Sequence, residues 1–348
     1  MRSIRSRTGC LILLVFLLVL TCTGAAADGS TFRSFNDAAV YVKENQPKEL
    51  DVGTVRWRPA DLLKLKNAMG EGAELHFVTT WEKLTFSEDS TEIDLNQVER
   101  ISAETIEAVI ALCPKAEKIR LTRHYYLRNK PVLELIEKYP EIEFAWTVTL
   151  RGRYRIPTDC TAYSSYNRVN TEESEMLRSE DMEALQYVHG LKALDLGHNK
   201  LTSLDWLKYC PDLELLLLGD NLGITDITPI GELAHLQYLE LFMTNVEDIS
   251  PLAGCRELLD LNLCLDKGVT DLSALDDLPK LERFWGNRMN LAQEEKDRFS
   301  AVHEGTQCVF NGQHSTSDGW RQHERYKHYC WCLKNQTWIP FGEPLPGK

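Results

Sequence analysis

His323, Glu324 and His328, followed closely by Cys330 and Cys332, are the residues whose types and spacing first suggest chemistry. A helical zinc-hydrolase site needs histidines at i and i+4 on one face, with a glutamate between them as base. Here the second histidine falls one residue later, about 100° further round a helix, off that face. Cys330-Trp331-Cys332 is too tight for the usual spacing of a structural zinc site, although His314, His323 and His328 are near in sequence. The chain has no G-x-S-x-G elbow, no phosphate-binding glycine loop and no C-x-x-C pair. Carboxylates abound, but spacing singles out no pair for glycoside hydrolysis. No catalytic residue, metal or cofactor is assigned, and the question becomes what the chain binds.

A binding surface needs elements to position it, and here they come from an internal repeat. Segments beginning at Leu191, Leu213, Leu236, Leu258 and Leu281 are spaced by 22, 23, 22 and 23 residues. The first four carry L-x-x-L-x-L cores, as in Leu191/Leu194/Leu196 and Leu236/Leu239/Leu241. This alternation predicts a short strand with one face inward. A polar residue eight positions on (Asn199, Asn221, Thr244 or Asp266) can turn the chain by side-chain bonds to backbone. Apolar residues every three, such as Ile224/Ile227/Ile230, then predict a tight 3₁₀-like return. One unit cannot bury its leucines alone, whereas stacked units share a continuous core. The predicted fold class is an α/β solenoid with a parallel concave sheet.

These units resemble the leucine-rich repeat superfamily, in particular the short 22-residue class of secreted, internalin-like bacterial proteins. The phrases Thr225-Asp226-Ile227-Thr228-Pro229-Ile230 and Glu247-Asp248-Ile249-Ser250-Pro251-Leu252 carry the resemblance, which covers about residues 181–290. The fifth unit, with Phe284-Trp285-Gly286, departs from it as a terminal repeat would. Upstream, Ile93, Ile119 and Phe144 mark strand-like runs 26 and 25 residues apart, with helical patterns at 103–112 and 132–139 between them. These predict longer strand-helix repeats before the short ones. The resemblance implies a non-catalytic protein that binds a protein or a cell-surface polymer.

In this register the residues two, four and six after each starting leucine project from the concave strands. They include Leu215, Leu217, Tyr238, Glu240, Phe242, Asp260, Asn262, Arg283 and Trp285, and these nine are the candidate partner-binding residues. Aromatic and leucine side chains on a strand face that should be polar mark a contact site, here rimmed by Asp195, Glu240 and Asp260. The competing expectation is that the linker or the C-terminal segment folds over them. A basic-aromatic stretch from Arg120 to Lys130, with Arg123, Tyr125, Tyr126 and Arg128, reads as a solvated turn or a contact for an acidic partner or wall polymer.

Charge and cysteines bound the setting. The run 11–20 is apolar, follows Arg2, Arg5 and Arg7, and leads to Ala25-Ala26-Ala27, the pattern of a signal peptide cleaved near Ala27. Lipidation at Cys22 is the alternative. The expected location is secreted or cell-envelope. Loss of those three arginines takes the formal charge from −13 to −16, which argues against nucleic acid as partner. No stable membrane span is expected, the apolar run being too short. Export permits disulfides, and a bridge from Cys308 to Cys330 or Cys332 would close a loop of about 22–24 residues. The expected organisation is a signal peptide at 1–27, an N-terminal cap at 28–85, long repeats at 86–150 and a linker at 151–180. Short repeats follow at 181–300 and a C-terminal cap at 301–348. Alternative roles are a structural envelope component, or the repeat module of a hydrolase whose active site is not identified.

Overall fold

The computed structural model describes residues 32–166 and 172–347. The expected signal peptide, with both Ala27 and Cys22, lies outside the described residues, as do positions 167–171 of the expected linker. The chain divides into two compact units. The first holds residues up to Ser90 together with Glu107–Lys115, and the second holds the rest.

In the first unit, helix α1 (Phe35–Asn45) starts where the Ser34 hydroxyl accepts from the Asp37 N–H, a side-chain cap for an otherwise unsatisfied donor. Strand β1 (Glu49–Val55), helix α2 (Pro59–Met69), strand β2 (Glu74–Trp81) and strand β3 (Leu84–Ser87) follow. β1 and β2 are parallel, and β2 and β3 form an antiparallel hairpin. Leu50, Val52, Leu62, Leu65, Phe77 and Phe86 are buried, the apolar faces of strands and helices closing on each other.

The second unit opens with strand β4 (Glu92–Asp94). Helix α3 (Ala103–Leu112), whose last residues belong to the first unit, leads to strand β5 (Lys118–Arg120). Helix α4 (Asn129–Lys138) and strand β6 (Glu143–Ala145) complete a three-stranded parallel sheet. Its register aligns Ile93, Ile119 and Phe144, as the longer sequence period predicts. Strands β7 (Thr147–Leu150) and β8 (Tyr154–Pro157) then form an antiparallel hairpin. The polar stretch expected to be linker contains β8 and β9 (Ala162–Ser164), because its few apolar residues, Tyr154, Ile156, Ala162 and Tyr163, are buried by pairing into sheets.

β9 is one edge of a seven-stranded parallel sheet. β10 (Ala193–Asp195), β11 (Leu215–Leu217), β12 (Tyr238–Glu240), β13 (Asp260–Asn262) and β14 (Arg283–Trp285) follow in order. After helix α5 (Gln293–Val302), strand β15 (Gln307–Val309) closes the opposite edge, so the strand-like run at the start of the expected cap joins the ladder. The repeat register holds without a slip: Leu194, Leu216, Leu239, Leu261 and Phe284 align across five strands, all fully buried. Between strands the chain returns through 3₁₀ turns such as Thr228–Glu232 and Ser250–Gly254. Each starts where an aspartate carboxylate accepts from a backbone N–H two residues on, Asp226 from Thr228 and Asp248 from Ser250.

The polar residues at the turns form a second ladder inside the coils. The Asn221 side-chain amide donates to the carbonyls of Leu196 and Leu218, while its oxygen accepts from the Leu201 N–H. One coil earlier Asn199 donates to the carbonyls of Leu196 and Gly197 and to the Ser165 hydroxyl, and accepts from the Leu177 N–H. At Asp266 the pattern changes: one carboxylate oxygen accepts from the Thr244 N–H and hydroxyl, and the other is buried with no partner. Burial pushes the Asp266 carboxyl up to about 8, although the bonds from Thr244 oppose it.

Candidate functional site

The strands put the predicted residues on one face, in rows set by register. Leu215, Tyr238, Asp260 and Arg283 form one row, and Leu217, Glu240, Asn262 and Trp285 the next. Phe242 lies further along, its ring so close over Gly219 that a Cβ there would sit 2.4 Å from the ring edge. The sequence register thus brings all nine together.

The structure corrects their expected exposure. None of the nine is more than 5% exposed. Beyond β15 the chain turns back and crosses the face, with helix α6 (Glu324–Asn335) packed against β9 and β10. Trp320, fully buried, sits on Tyr238 and Trp285 with ring centres 5.2 and 5.1 Å apart. Tyr329 meets Tyr238 edge-on at 5.4 Å and stacks on Trp338 at 5.1 Å. At the far side the Trp338 N–H donates to the Thr161 hydroxyl at 2.6 Å. The aromatic cluster is core, as the competing expectation had it: apolar rings on a strand face are as well explained by an internal cover as by a partner.

Polar groups on the face read the backbone of this segment. The Asn287 amide donates to the His314 carbonyl at 3.1 Å and the Asn262 amide to Ser315 at 2.8 Å. The Trp285 indole donates to Ser317 at 3.0 Å and Arg283 to Trp320 at 3.1 Å. Charge is matched as well. Glu240 accepts from the Trp320 indole at 2.7 Å, from Arg321 at 2.8 Å and from the Tyr238 hydroxyl at 2.9 Å. Asp260 lies between Arg325 at 2.7 Å and Arg283 at 3.5 Å.

Burial raises the carboxyls of Glu240 and Asp260 above the ordinary range, and the facing guanidiniums pull the other way, Arg321 on Glu240 and Arg325 on Asp260. Burial also works against the charge on Arg321 and Arg325, but the carboxylates outweigh it and hold both more firmly protonated than usual. Arg283 goes the other way, lowered by burial. Glu240 and Asp260 of the expected acidic rim are therefore the counter-charge for the segment, whereas Asp195 accepts from the Ser164 hydroxyl at 2.6 Å and the Gly197 N–H at 3.1 Å. Trp320, Arg321 and Arg325 are the residues the sequence reading missed. Their signal was present as a basic, aromatic segment opposite an acidic, aromatic face, but without a period to give it a register.

The expected bridge from Cys308 to Cys330 or Cys332 is also corrected. All eight cysteines of the described residues are free. Cys308 lies on β15 at one sheet edge, while Cys332 belongs to the helix that ends beside β9 at the other. Several strand steps of about 4.8 Å separate them, far beyond disulfide reach. His323 caps α6 by accepting from the Arg325 N–H, and His328 bonds the Ile339 carbonyl at 2.7 Å. Among the described residues no cluster of histidine, cysteine and carboxylate is placed to hold a metal.

The basic stretch folds as a turn, a 3₁₀ turn at Tyr125–Leu127 and the start of α4. His124 is buried, bonded to the Leu95 carbonyl and the Tyr126 hydroxyl, and Arg120 pairs with Asp159. Tyr125, Tyr126 and Arg128 stay exposed.

No family model matches the chain, and no curated protein does. Among solved structures it is similar to an internalin (inlF) of Listeria monocytogenes, at 17% identity and a TM-score of 0.36, over 59% of this chain and 51% of that one. The chain thus spans about half the length of that protein. An internalin C2 of the same organism matches at 25% identity and a TM-score of 0.32, over 43% and 70%. A leucine-rich repeat protein of Leptospira interrogans matches at 16% and 0.36, over 75% and 72%. The repeat register and the parallel ladder of this chain make its fold a leucine-rich repeat solenoid.

Proposed function

We propose that this chain is a non-catalytic binding protein that works outside the cell, holds its sheet face closed with its own C-terminal segment, and meets a protein or surface polymer elsewhere. The observation that carries the reading is the seating of Trp320, Arg321 and Arg325 on Tyr238, Trp285, Glu240 and Asp260. The ionisable groups of the face are engaged in that contact, which supports a structural use for them over an acid-base one. The nine face residues act in this reading as the receptor for 311–345. Cross-linking of the full chain to surface extracts, with mapping of the linked residues, tests it. Links are expected outside the β10–β14 face. A partner cross-linked to Tyr238 or Trp285 would show that the segment leaves and the reading fails.

A further inference from the structure

Cationic and aromatic groups that remain accessible gather elsewhere in the second unit. Tyr125, Tyr126, Arg128, Asn129, Thr149 and Arg155 line a cavity of about 560 Å³, within the ~300–1,000 Å³ of small-ligand sites. Tyr125 and Tyr126 are 43% and 41% exposed, and their rings meet at 71° with centres 6.5 Å apart, forming a corner. The Arg155 guanidinium stacks 3.6 Å above the Tyr125 ring. Stacking fixes the plane of the guanidinium and leaves its N–H edges for a bidentate oxyanion.

Arg128 has φ 60° and ψ 175°, a conformation that glycine adopts without strain and arginine does not. Strain of this kind concentrates at ligand sites. Among the described residues no carboxylate pairs with Arg128 or Arg155. Two guanidiniums without a carboxylate partner, beside half-exposed tyrosine rings that carry Arg155 and Arg100 over one face each, are out of keeping with a chain of net charge −13. The Asn129 amide donates to the Thr149 carbonyl at 3.1 Å and its oxygen accepts from the Thr149 N–H at 2.8 Å. The β7 edge is thereby closed, and an extended peptide finds no ladder position at Thr149.

We propose that this cavity binds a saccharide ring bearing a carboxylate or sulfate. The oxyanion takes the guanidiniums of Arg155 and Arg128, and the apolar face of the ring lies in the tyrosine corner. The proposal rests on the binding-protein reading above and assigns it a place. The test titrates the full chain with trigalacturonate, a sulfated disaccharide, neutral cellotriose, inorganic phosphate and a short polyglutamate, by calorimetry.

One or both charged sugars should bind, more weakly as salt rises, and the two arms identify the oxyanion. Arg128→Gly and Arg155→Ala should each weaken binding about tenfold, with the melting temperature unchanged for Arg155→Ala and unchanged or raised for Arg128→Gly, which relieves the strained backbone. Sugar binding unmoved by either substitution overturns the proposal, as does equal binding of cellotriose. Phosphate binding as tightly as the sugars, or polyglutamate more tightly, overturns it too. No binding of either charged sugar overturns this site alone, since the cross-linking test stands independently of it.

Discussion

Arg325 reaches 65 residues back along the chain to place its Nη1 atom 2.7 Å from Asp260 Oδ2, with both side chains buried. Its other terminal nitrogen donates to Glu282, and Asp260 also faces Arg283. Breaking one half of such a pair leaves Asp260 in the interior with only Arg283, 3.5 Å away, to face it, at a cost of about 3–5 kcal/mol. Arg325→Ala should lower the urea unfolding free energy by about that amount. Arg325→Met with Asp260→Asn should lose less than the sum of the two single changes.

Trp320 covers Tyr238 and Trp285. Trp320→Ala removes a fully buried ring and should cost about 3–5 kcal/mol. Ending the chain after Phe310 goes further and bares the face. That form should bind a hydrophobic dye and self-associate where the full chain does neither, as read by fluorescence and sedimentation. A truncated chain that stayed monomeric and dark to the dye would refute the internal cover.

Gly219 lies beneath the Phe242 ring. Gly219→Ala puts a methyl into space the ring holds, and overpacking costs about 1–3 kcal/mol. Pairing it with Phe242→Leu should return part of that loss in thermal melts, because the two positions are in contact. Equal losses with and without the leucine would contradict the packing.

The Asp266 carboxyl, raised from 3.8 to about 8 by burial, makes stability pH-dependent. The folded state holds its proton between about pH 4 and 8 while the unfolded chain has lost it. Its contribution therefore falls as pH rises through that window. Asp266→Asn supplies an amide like those of Asn199 and Asn221. It should remove this slope and raise stability at pH 9 by about 2–5 kcal/mol. Urea titrations of both proteins at pH 5, 7 and 9 check it.

Much of this fold is legible in the residues. The leucines at 194, 216, 239 and 261 announce both strand and register, since a period-2 strand and a 22- to 23-residue repeat leave one way to align them. The apolar residues every three, such as Ile224/Ile227/Ile230, do the same for the 3₁₀ turns. Ile93, Ile119 and Phe144 locate the upstream sheet. What is illegible has no period. β8 and β9 lie in a polar run where three or four residues make the strand. The segment after β15 has no repeat to tie Trp320 to Tyr238 or Arg325 to Asp260. The sequence puts aromatic rings on the face, and geometry alone decides whether a partner or the chain itself fills it. Arg155 escaped for a similar reason: it reaches Tyr125 across 30 residues.

The bond between Trp338 and Thr161 joins residues 177 positions apart, where each coil otherwise meets the next. On a ribosome the coils can stack as they emerge, one neighbour at a time. The rings of β12 and β14 stay bare until residues 320–338 have been made, and only then can that stretch return to the first strand of the sheet. Closure over the face thus joins parts of the chain far apart in sequence, and it can only follow synthesis of the coils it covers.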